Sequence, residues 1–448
     1  MNATWRRRRA ILVLATATAL VGAACGGDAP DAPDDAQSPT AAPEDLSGQS
    51  IEVAAKWSGT EEGGEQFNFE QVIALFEEQT GADVTYTSTG EEIASVLGTR
   101  VEGGEPPDVA ILPNPGLMKD LADQGSLQPV EDVAGSVVDA NFAPVWRELG
   151  SVDGELYGVW FKAANKSTVW YNVNVFNDAG VTPPEDWEGM LQAGQTISDF
   201  GITPFSIGGA DGWTLTDWFE NIYLRTAGPE MYDQLTEHAI PWTDESVQEA
   251  LTVFAEVVGN PDLIVGGPSG ALNTDFPGSV TQVFTDPPDG AIVYEGDFVA
   301  GVIAGDTEAE VGTDADFFPF PSIEGSPPAV VGGGDVAVLM TDSEAGQAFV
   351  RFLATPEAAE VWAALGGFSS PNTQVDPGVY PDPVSARSAE ALAAAETFRF
   401  DMSDLVPSEF GGTPGQGMWG ILQDFLRTPD DVEGTAEQLE EAAAQAYG

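Results

Sequence analysis

The fold is decided between residues 51 and 112, where three short segments, IEVAA (51–55), DVTYT (83–87) and DVAIL (108–112), predict strands. A helix is predicted between the first two, because Phe69, Val72, Ile73 and Phe76 recur at helical spacing ahead of Gly81. A second helix is predicted over residues 92–100. Strand and helix thus alternate through about sixty residues, which indicates a parallel, doubly wound α/β sheet with right-handed crossovers.

The same alternation returns after residue 165 and continues to the end of the chain. Thr355-Pro356 predicts the start of one later helix, since threonine is a good N-cap and proline fits the first helical turn. About 400 residues in this pattern predict two α/β domains. The strands predicted here are 168–172, 203–207, 291–294, 317–320 and 336–340, and the helices are 186–195, 215–225, 246–258, 356–365 and 432–447.

The N-terminus is typical of an exported protein. Arg6 to Arg9 precede an apolar run, Ala10 to Leu20, that is too short to span a bilayer, and small residues then lead to Cys25, the single cysteine. This ending resembles a bacterial lipobox, although Gly22 stands where a leucine-like residue is usual. The resemblance implies a signal peptide over 1–24 and an acylated Cys25 as the sole membrane attachment, at the outer face of the cell membrane. An ordinary cleaved signal with a chance cysteine is the alternative.

Residues 25–50 predict a flexible, acidic and proline-rich tether. They show no apolar periodicity, so they cannot bury enough surface to offset the entropy of ordering. The folded part is therefore predicted to begin near Ile51.

Charge limits the possible partners. The formal net charge is −58, and removal of Arg6 to Arg9 would leave eleven basic residues against 73 acidic ones, a balance of about −62. Nucleic acid is excluded as a partner, since its phosphates would repel such a chain. A hydrophobic content of 42% predicts a folded core rather than disorder. The acidic surface is typical of proteins that stay soluble in strong salt, which predicts a halophilic source, and a cation-binding surface is the alternative.

The residues offer little for catalysis. His238 is the single histidine, and no serine or cysteine arrangement around it predicts a nucleophile relay. Gly332-Gly333-Gly334 lacks the lysine and serine of a phosphate loop, and an acylated Cys25 leaves no thiolate for zinc. We therefore expect no enzyme activity, no cofactor and no metal. Carboxylate pairs are plentiful, so an extracytoplasmic glycoside hydrolase stays open as the alternative.

The stretch WYNVNVFNDAGVTPPEDW (170–187) resembles a signature of family 1 extracellular solute-binding proteins, the maltose-binding-protein-like receptors of carbohydrate ABC importers. GELYGV (154–159) is similar to the family's entry into the first passage between its lobes, and DGWTLTDWFEN (211–221) resembles the branch that handles α-glucosides. The resemblance covers residues 51–448. It implies a lipid-anchored, monomeric receptor that captures a neutral oligosaccharide, an α-glucoside, and delivers it to the permease of an ABC importer.

Members of this family have two α/β lobes joined by three crossings, which a ligand draws together. By this resemblance, lobe 1 is predicted at 51–163 plus 323–375, and lobe 2 at 168–317 plus 376–448. The crossings are predicted near 162–167, 317–322 and 371–381.

A sugar offers an apolar face to aromatic rings and hydroxyls to charged or amide partners. Such side chains follow several predicted strands, at the sheet edge where doubly wound folds bind ligands. Lys162 and Lys166 are two of only four lysines. For each one, pairing with neighbouring carboxylates explains its presence as well as contact with a ligand does. Core packing is the alternative for each ring. The predicted ligand-binding residues are Trp57, Glu61, Asn114, Lys162, Asn165, Asp211, Trp213, Glu295, Asp297, Phe298, Asp335, Phe410 and Trp419.

Overall fold

The computed structural model describes residues 45–60 and 64–448. The predicted signal peptide, Cys25 and the tether up to residue 44 lie outside these residues, and so does Glu61. Within the described ranges, no helix combines the length and the apolar character that crossing a membrane requires.

Two sheets and one hairpin contain all the strands of the described chain. The strands predicted at 51–55, 83–87 and 168–172 are confirmed, each within one residue. The strands are β1 Ser50–Ala55, β2 Asp83–Ser88, β3 Val109–Leu112, β4 Ser151–Val152, β5 Glu155–Leu156, β6 Gly158–Asn165, β7 Thr168–Asn172, β8 Thr203–Ser206, β9 Gly290–Glu295, β10 Ala315–Pro319, β11 Val330–Leu339 and β12 Phe398–Phe400.

The first sheet has the order β12-β11-β3-β1-β2, and β6 pairs with β11 as well. β1 is parallel to both β2 and β3, as the alternation of strands and helices predicts. β11 instead runs antiparallel to β3 and β6, so the sheet is mixed. The second sheet has the order β10-β7-β9-β8, in which β8 and β9 are parallel, and β4 and β5 form the separate hairpin.

Helices cover these sheets, and several begin or end at the residues that the sequence indicates. Gly81 ends the first helix in the left-handed conformation, with φ of 75°. Thr355 caps a later helix by accepting the Ala358 N–H, and Pro356 occupies its first position. The helices are α1 Glu65–Thr80, α2 Ile93–Gly103, α3 Pro115–Asp123, α4 Glu131–Asn141, α5 Pro144–Leu149, α6 Val173–Ala179, α7 Trp187–Phe200, α8 Trp213–Thr226, α9 Pro229–Thr236, α10 Glu245–Val258, α11 Gly267–Ala271, α12 Phe276–Phe284, α13 Val299–Asp306, α14 Glu344–Leu353, α15 Pro356–Ala363, α16 Pro383–Ala393, α17 Met402–Leu405, α18 Ser408–Gly411, α19 Gly417–Arg427 and α20 Val432–Tyr447.

Each sheet has its own hydrophobic core. The first core draws on residues between 46 and 163 and between 336 and 400, and the second on residues between 169 and 331 and between 402 and 443. A third, smaller core surrounds Trp170 beneath α12 and α13. The predicted lobe boundary at residue 376 differs from this division, because β12 pairs with β11 and Phe400 lies in the first core. The chain returns to the second core only at Met402.

The longest strand, β11, includes Gly332-Gly333-Gly334, which the sequence pattern places ahead of the strand predicted at 336–340. β11 begins at Val330 rather than Val336, so Asp335 lies inside the strand. A Cβ on Gly334 would stand 2.5 Å from the Lys162 carbonyl oxygen, so the glycine lets β11 lie close against β6. β6 itself, predicted as an entry to a crossing, is a strand whose eight residues are all buried.

A backbone contact joins the first and third cores where α13 approaches the loop after α15. A Cβ on Gly301 would lie 3.5 Å from the Gly367 Cα, and a Cβ on Gly367 would lie 3.2 Å from the Gly301 Cα. Two glycines facing each other therefore let these segments approach without any side chain between them.

Candidate functional site

Lys166 lies on the short link between β6 of the first sheet and β7 of the second. Its ammonium forms an ion pair with Asp401, and Nζ lies 3.1 Å from Asp217 Oδ1 and 5.5 Å from the centroid of the Trp213 ring. Trp213 and Asp217 are four residues apart on α8, which places both on the helix face toward Lys166. One lysine thus connects the link between the sheets to α8 and to the start of α17.

Three half-buried aromatic rings meet beside Lys166. The centroid of Trp213 lies 5.4 Å from that of Phe276 and 6.0 Å from that of Phe298, and the two phenylalanine rings are 5.2 Å apart. Asp211 Oδ2 accepts the Phe276 N–H at 2.6 Å, which fixes the start of α12 against the loop before α8. We call Trp213, Phe276 and Phe298 the ring cluster. Its partly exposed faces suit the apolar face of a sugar ring.

The sequence predicts two members of the ring cluster and misses the third. The sequence pattern places Trp213 ahead of the helix predicted at 215–225, whereas it is the first residue of α8. Phe276 follows Asp275, an N-cap whose side chain accepts the Gly278 N–H. Trp187 follows its N-cap, Asp186, in the same way and yet lies in the second core, so no local sequence signal singles out Phe276.

Five carboxyl groups surround Lys166, and burial controls their protonation. Burial, reinforced by repulsion from neighbouring acids, raises the pKa of Asp217, Glu220 and Glu295 well above the usual range. The same two effects raise the pKa of Asp404 to about 8. Burial alone would also raise the pKa of Asp401, but Lys166 holds it below its usual value. The cluster therefore contains both ionised and protonated carboxyls near neutral pH.

Lys166 stays charged in this environment. Burial alone would lower the pKa of Lys166, but Asp217 and Asp401 raise it well above its usual value. The ammonium is therefore the internal cation of the cluster.

Glu220 is held by hydrogen bonds on both carboxylate oxygens. They accept the N–H groups of Met402 at 2.7 Å and Ser403 at 3.0 Å, and Tyr232 donates its O–H at 3.2 Å. Oxygens of Asp217, Glu220 and Asp401 lie within 4.8 Å of one another, a spacing that a metal ion could bridge. Lys166 already contacts two of these groups and N–H donors hold the third, so the arrangement is built around the lysine.

The first sheet contributes two further lysines near this junction. Lys56 lies 3.8 Å from Asp335, and both residues act on the pKa of Asp404, which places them beside the Lys166 cluster. Lys162 forms an ion pair with Glu65, and its Nζ lies 5.1 Å from the Trp362 ring centroid. Lys119, on α3, is the remaining lysine and is exposed. Three of the four lysines thus lie in ion pairs at or near the place where the sheets meet.

Several predicted ligand residues have partners inside the protein. Asn114 Oδ1 accepts the Leu117 N–H at 2.8 Å and caps α3. Asn165 accepts the Ser167 N–H at 3.0 Å, and its carbonyl oxygen accepts the Asp297 N–H at 3.0 Å. Asp297 also accepts the O–H groups of two serines, Ser369 and Ser388. These bonds tie the link between the sheets to α16, and the contacts of these residues with a ligand stay a prediction.

Two of the predicted stacking rings are packed inside the cores. Trp57 is 1% exposed, with its ring centroid 4.8 Å from that of Phe69, and Phe410 is also 1% exposed. Neither offers a free face in this conformation. Trp419 is half-buried and abuts Gly212, where an added Cβ would stand 2.8 Å from the Trp419 Cβ, so it borders the ring cluster.

Of the predicted site residues, the structure brings five together around Lys166 and Phe276. Those five are Asp211, Trp213, Glu295, Phe298 and Asp335, with Trp419 at the border.

The sequence matches a family model described as bacterial extracellular solute-binding protein over residues 61–360. The osmoprotective compounds-binding protein GgtB of Synechocystis sp. is 38% identical over 380 residues, which cover 83% of this chain and 88% of GgtB. The alpha-glucosides-binding periplasmic protein AglE of Rhizobium meliloti is 36% identical over 398 residues, which cover 85% of this chain and 84% of AglE.

Solved structures share the fold at low sequence identity. The bacterial solute receptor AcbH, described as preferring β-D-galactopyranose, matches with a TM-score of 0.78 at 19% identity, over 89% of this chain and 100% of AcbH. RafE in complex with raffinose matches with a TM-score of 0.72 at 18% identity, over 89% of this chain and 100% of RafE. With the matched family model and two relatives above one-third identity, the chain belongs to the bacterial extracellular solute-binding proteins.

Proposed function

We propose that this chain is an extracytoplasmic receptor that captures a neutral oligosaccharide, an α-glucoside, and passes it to the permease of an ABC importer. The ring cluster of Trp213, Phe276 and Phe298 is the observation that carries this proposal, since partly exposed aromatic rings beside polar groups suit a pyranose. The relationship to AglE, which is named for binding α-glucosides, supports the α-linkage. The receptor makes and breaks no bonds.

The charges around the ring cluster favour a ligand without negative charge. Asp401 and Asp335 are buried near Lys166, and the Lys166 ammonium is already paired with Asp217 and Asp401. Sugar hydroxyls would donate to these oxygens, while a carboxylate or phosphate on the ligand would be repelled. The Lys56–Asp335 pair on the first sheet would contact the same ligand, and contacts from both sheets would shift the protein toward a closed state.

Calorimetric titration with a small ligand panel tests this proposal. We expect trehalose, maltose or sucrose to bind, and we expect the β-linked disaccharide cellobiose to bind more weakly. Glycine betaine serves as an osmoprotectant that has no sugar ring, so it separates the two relatives' ligand classes. Binding of betaine alone, or release of glucose from any disaccharide, would overturn the proposal.

We also propose that the acylated Cys25 holds the receptor at the outer face of the cell membrane as a monomer. The basic residues, apolar run and small residues before Cys25 support export and acylation. A tether with no apolar periodicity would let the folded part reach a permease while anchored.

A further inference from the structure

Gly296 lies directly against the ring of Phe298, one of the three members of the ring cluster. A Cβ on Gly296 would stand 2.3 Å from Phe298 Cε1, 2.8 Å from its Cδ1 and 2.9 Å from its Cζ. Carbon atoms that are not bonded to each other pack at about 3.5–4.0 Å. The ring therefore occupies the space that any side chain at position 296 would need.

The backbone conformation of Gly296 does not itself require a glycine. Its φ lies outside the left-handed range that favours this residue, so alanine could adopt the same backbone without strain. Gly296 is buried in the short connection between β9 and α13. The missing side chain at this position thus serves the packing of the Phe298 ring rather than a turn.

Hydrogen bonds on both sides hold the backbone of Gly296 in place. Its carbonyl oxygen accepts the Trp170 Nε1–H at 3.1 Å, and the N–H of the next residue, Asp297, donates to the Asn165 carbonyl oxygen at 3.0 Å. The Phe298 ring, in contrast, is half-buried and can turn about its own side-chain bonds. A methyl group added at Gly296 would therefore displace the ring rather than the backbone.

We propose that Gly296 is a positioning residue of the ring cluster: because it has no side chain, the Phe298 ring can lie against Trp213 and Phe276. The centroids of those rings lie 6.0 Å and 5.2 Å from the centroid of Phe298. The effect of Gly296 on sugar affinity rests on the proposed function, whereas its effect on the position of the ring does not.

A double-mutant cycle of Gly296→Ala and Phe298→Ala tests this inference, with calorimetric titration of the best sugar of the panel. Gly296→Ala should weaken binding roughly tenfold in the natural protein, the scale of one aromatic contact. It should have no effect where residue 298 is already alanine, because the methyl group then meets no ring. Gly305→Ala is the matched control on α13, since an added Cβ there meets nothing within 4 Å, and it should leave affinity unchanged.

Two results of the cycle would overturn the proposal. One is a loss of affinity in Phe298→Ala without a loss in Gly296→Ala, and the other is the same loss from Gly296→Ala in both backgrounds. If no sugar binds, or if neither variant changes affinity, the proposed sugar site fails instead, and a crystal structure of Gly296→Ala alone decides the inference.

That crystal structure needs no ligand. The Phe298 ring should have left its contacts with Trp213 and Phe276, and a ring in its natural position overturns the proposal. If Gly296→Ala does not fold, the double variant decides. It should fold as well as Phe298→Ala, and its failure to fold would show that the ring is not the obstacle and would overturn the proposal.

Discussion

Replacing Trp213 by alanine should weaken sugar binding far more than replacing Trp187, although both changes remove an indole. Trp213 is half-buried at the start of α8, within the ring cluster and under the Lys166 ammonium. Trp187 is 5% exposed in the second core, where its ring faces Trp218 and its Nε1 donates to Glu256 at 2.7 Å.

The two substitutions reduce different quantities, the free energy of binding at Trp213 and the free energy of unfolding at Trp187. Loss of a stacking ring at a packed binding site costs about 2 kcal/mol of binding free energy, a roughly thirtyfold loss of affinity. Trp187→Ala instead leaves a cavity in the second core, which costs about 3–5 kcal/mol of unfolding free energy. It should lower the melting temperature by several degrees and leave affinity nearly unchanged.

Titration calorimetry with the best sugar of the panel, paired with thermal unfolding, separates the two effects. Phe276→Ala gives an independent check on the ring cluster, because the sequence pattern did not select this residue. Unchanged affinity in both Trp213→Ala and Phe276→Ala would refute the assignment of the ring cluster to the binding site.

Four further outcomes are expected. The contact of Gly301 with Gly367 joins the two cores that the proposed closed state brings together, so Gly301→Leu should weaken sugar binding by forcing α13 away from Gly367. Gly301→Ala should not, since its Cβ makes an ordinary contact at 3.5 Å. Equal affinities in calorimetry would show that binding does not require this contact. Asp404 has a pKa of about 8 in the folded protein. The contribution of its protonated form to the free energy of unfolding is greatest at low pH and is lost as pH rises through 8. Asp404→Asn should therefore reduce the decline of the unfolding free energy with pH, measured by urea unfolding. The melting temperature should rise between low and molar sodium chloride, as the Debye length shrinks to about 3 Å, and a flat or falling curve would argue against adaptation to salt. Cys25→Ser should move the protein from the membrane fraction to the soluble fraction without changing sugar affinity, and continued membrane fractionation would refute acyl anchoring.

Local sequence patterns predict most of the elements but not how they pair. The alternation from 51 to 112 gives β1, β2 and β3 correctly, because each strand and helix there shows its own periodicity. The glycines of β11 look like a loop by composition, yet their lack of side chains is what allows close pairing with β6. Pairing between strands more than 160 residues apart depends on the tertiary fold, so residue type alone could not reveal it.

The candidate site is predictable only in part, for a similar reason. Residue type drew attention to Trp213 and Phe298, which the structure brings together, but it could not show that the Trp57 ring turns inward. That ring packs between Phe69 on the next helix and Trp362, which is distant in sequence. The sequence could not predict the ion pairs of Lys166 either, because its partners Asp217 and Asp401 come from two remote segments.

The placement of the lysines has a practical consequence for labelling chemistry. Amine-reactive reagents attack neutral amines, and the carboxylates around Lys166 keep its ammonium protonated. Lys162 is buried in its ion pair with Glu65, and Lys56 is 32% exposed beside Asp335, while Lys119 is exposed on α3. Apart from the N-terminal amine, a dye or a sensor surface would therefore couple preferentially at Lys119, and most molecules coupled through a lysine would present the same orientation to a sugar solution.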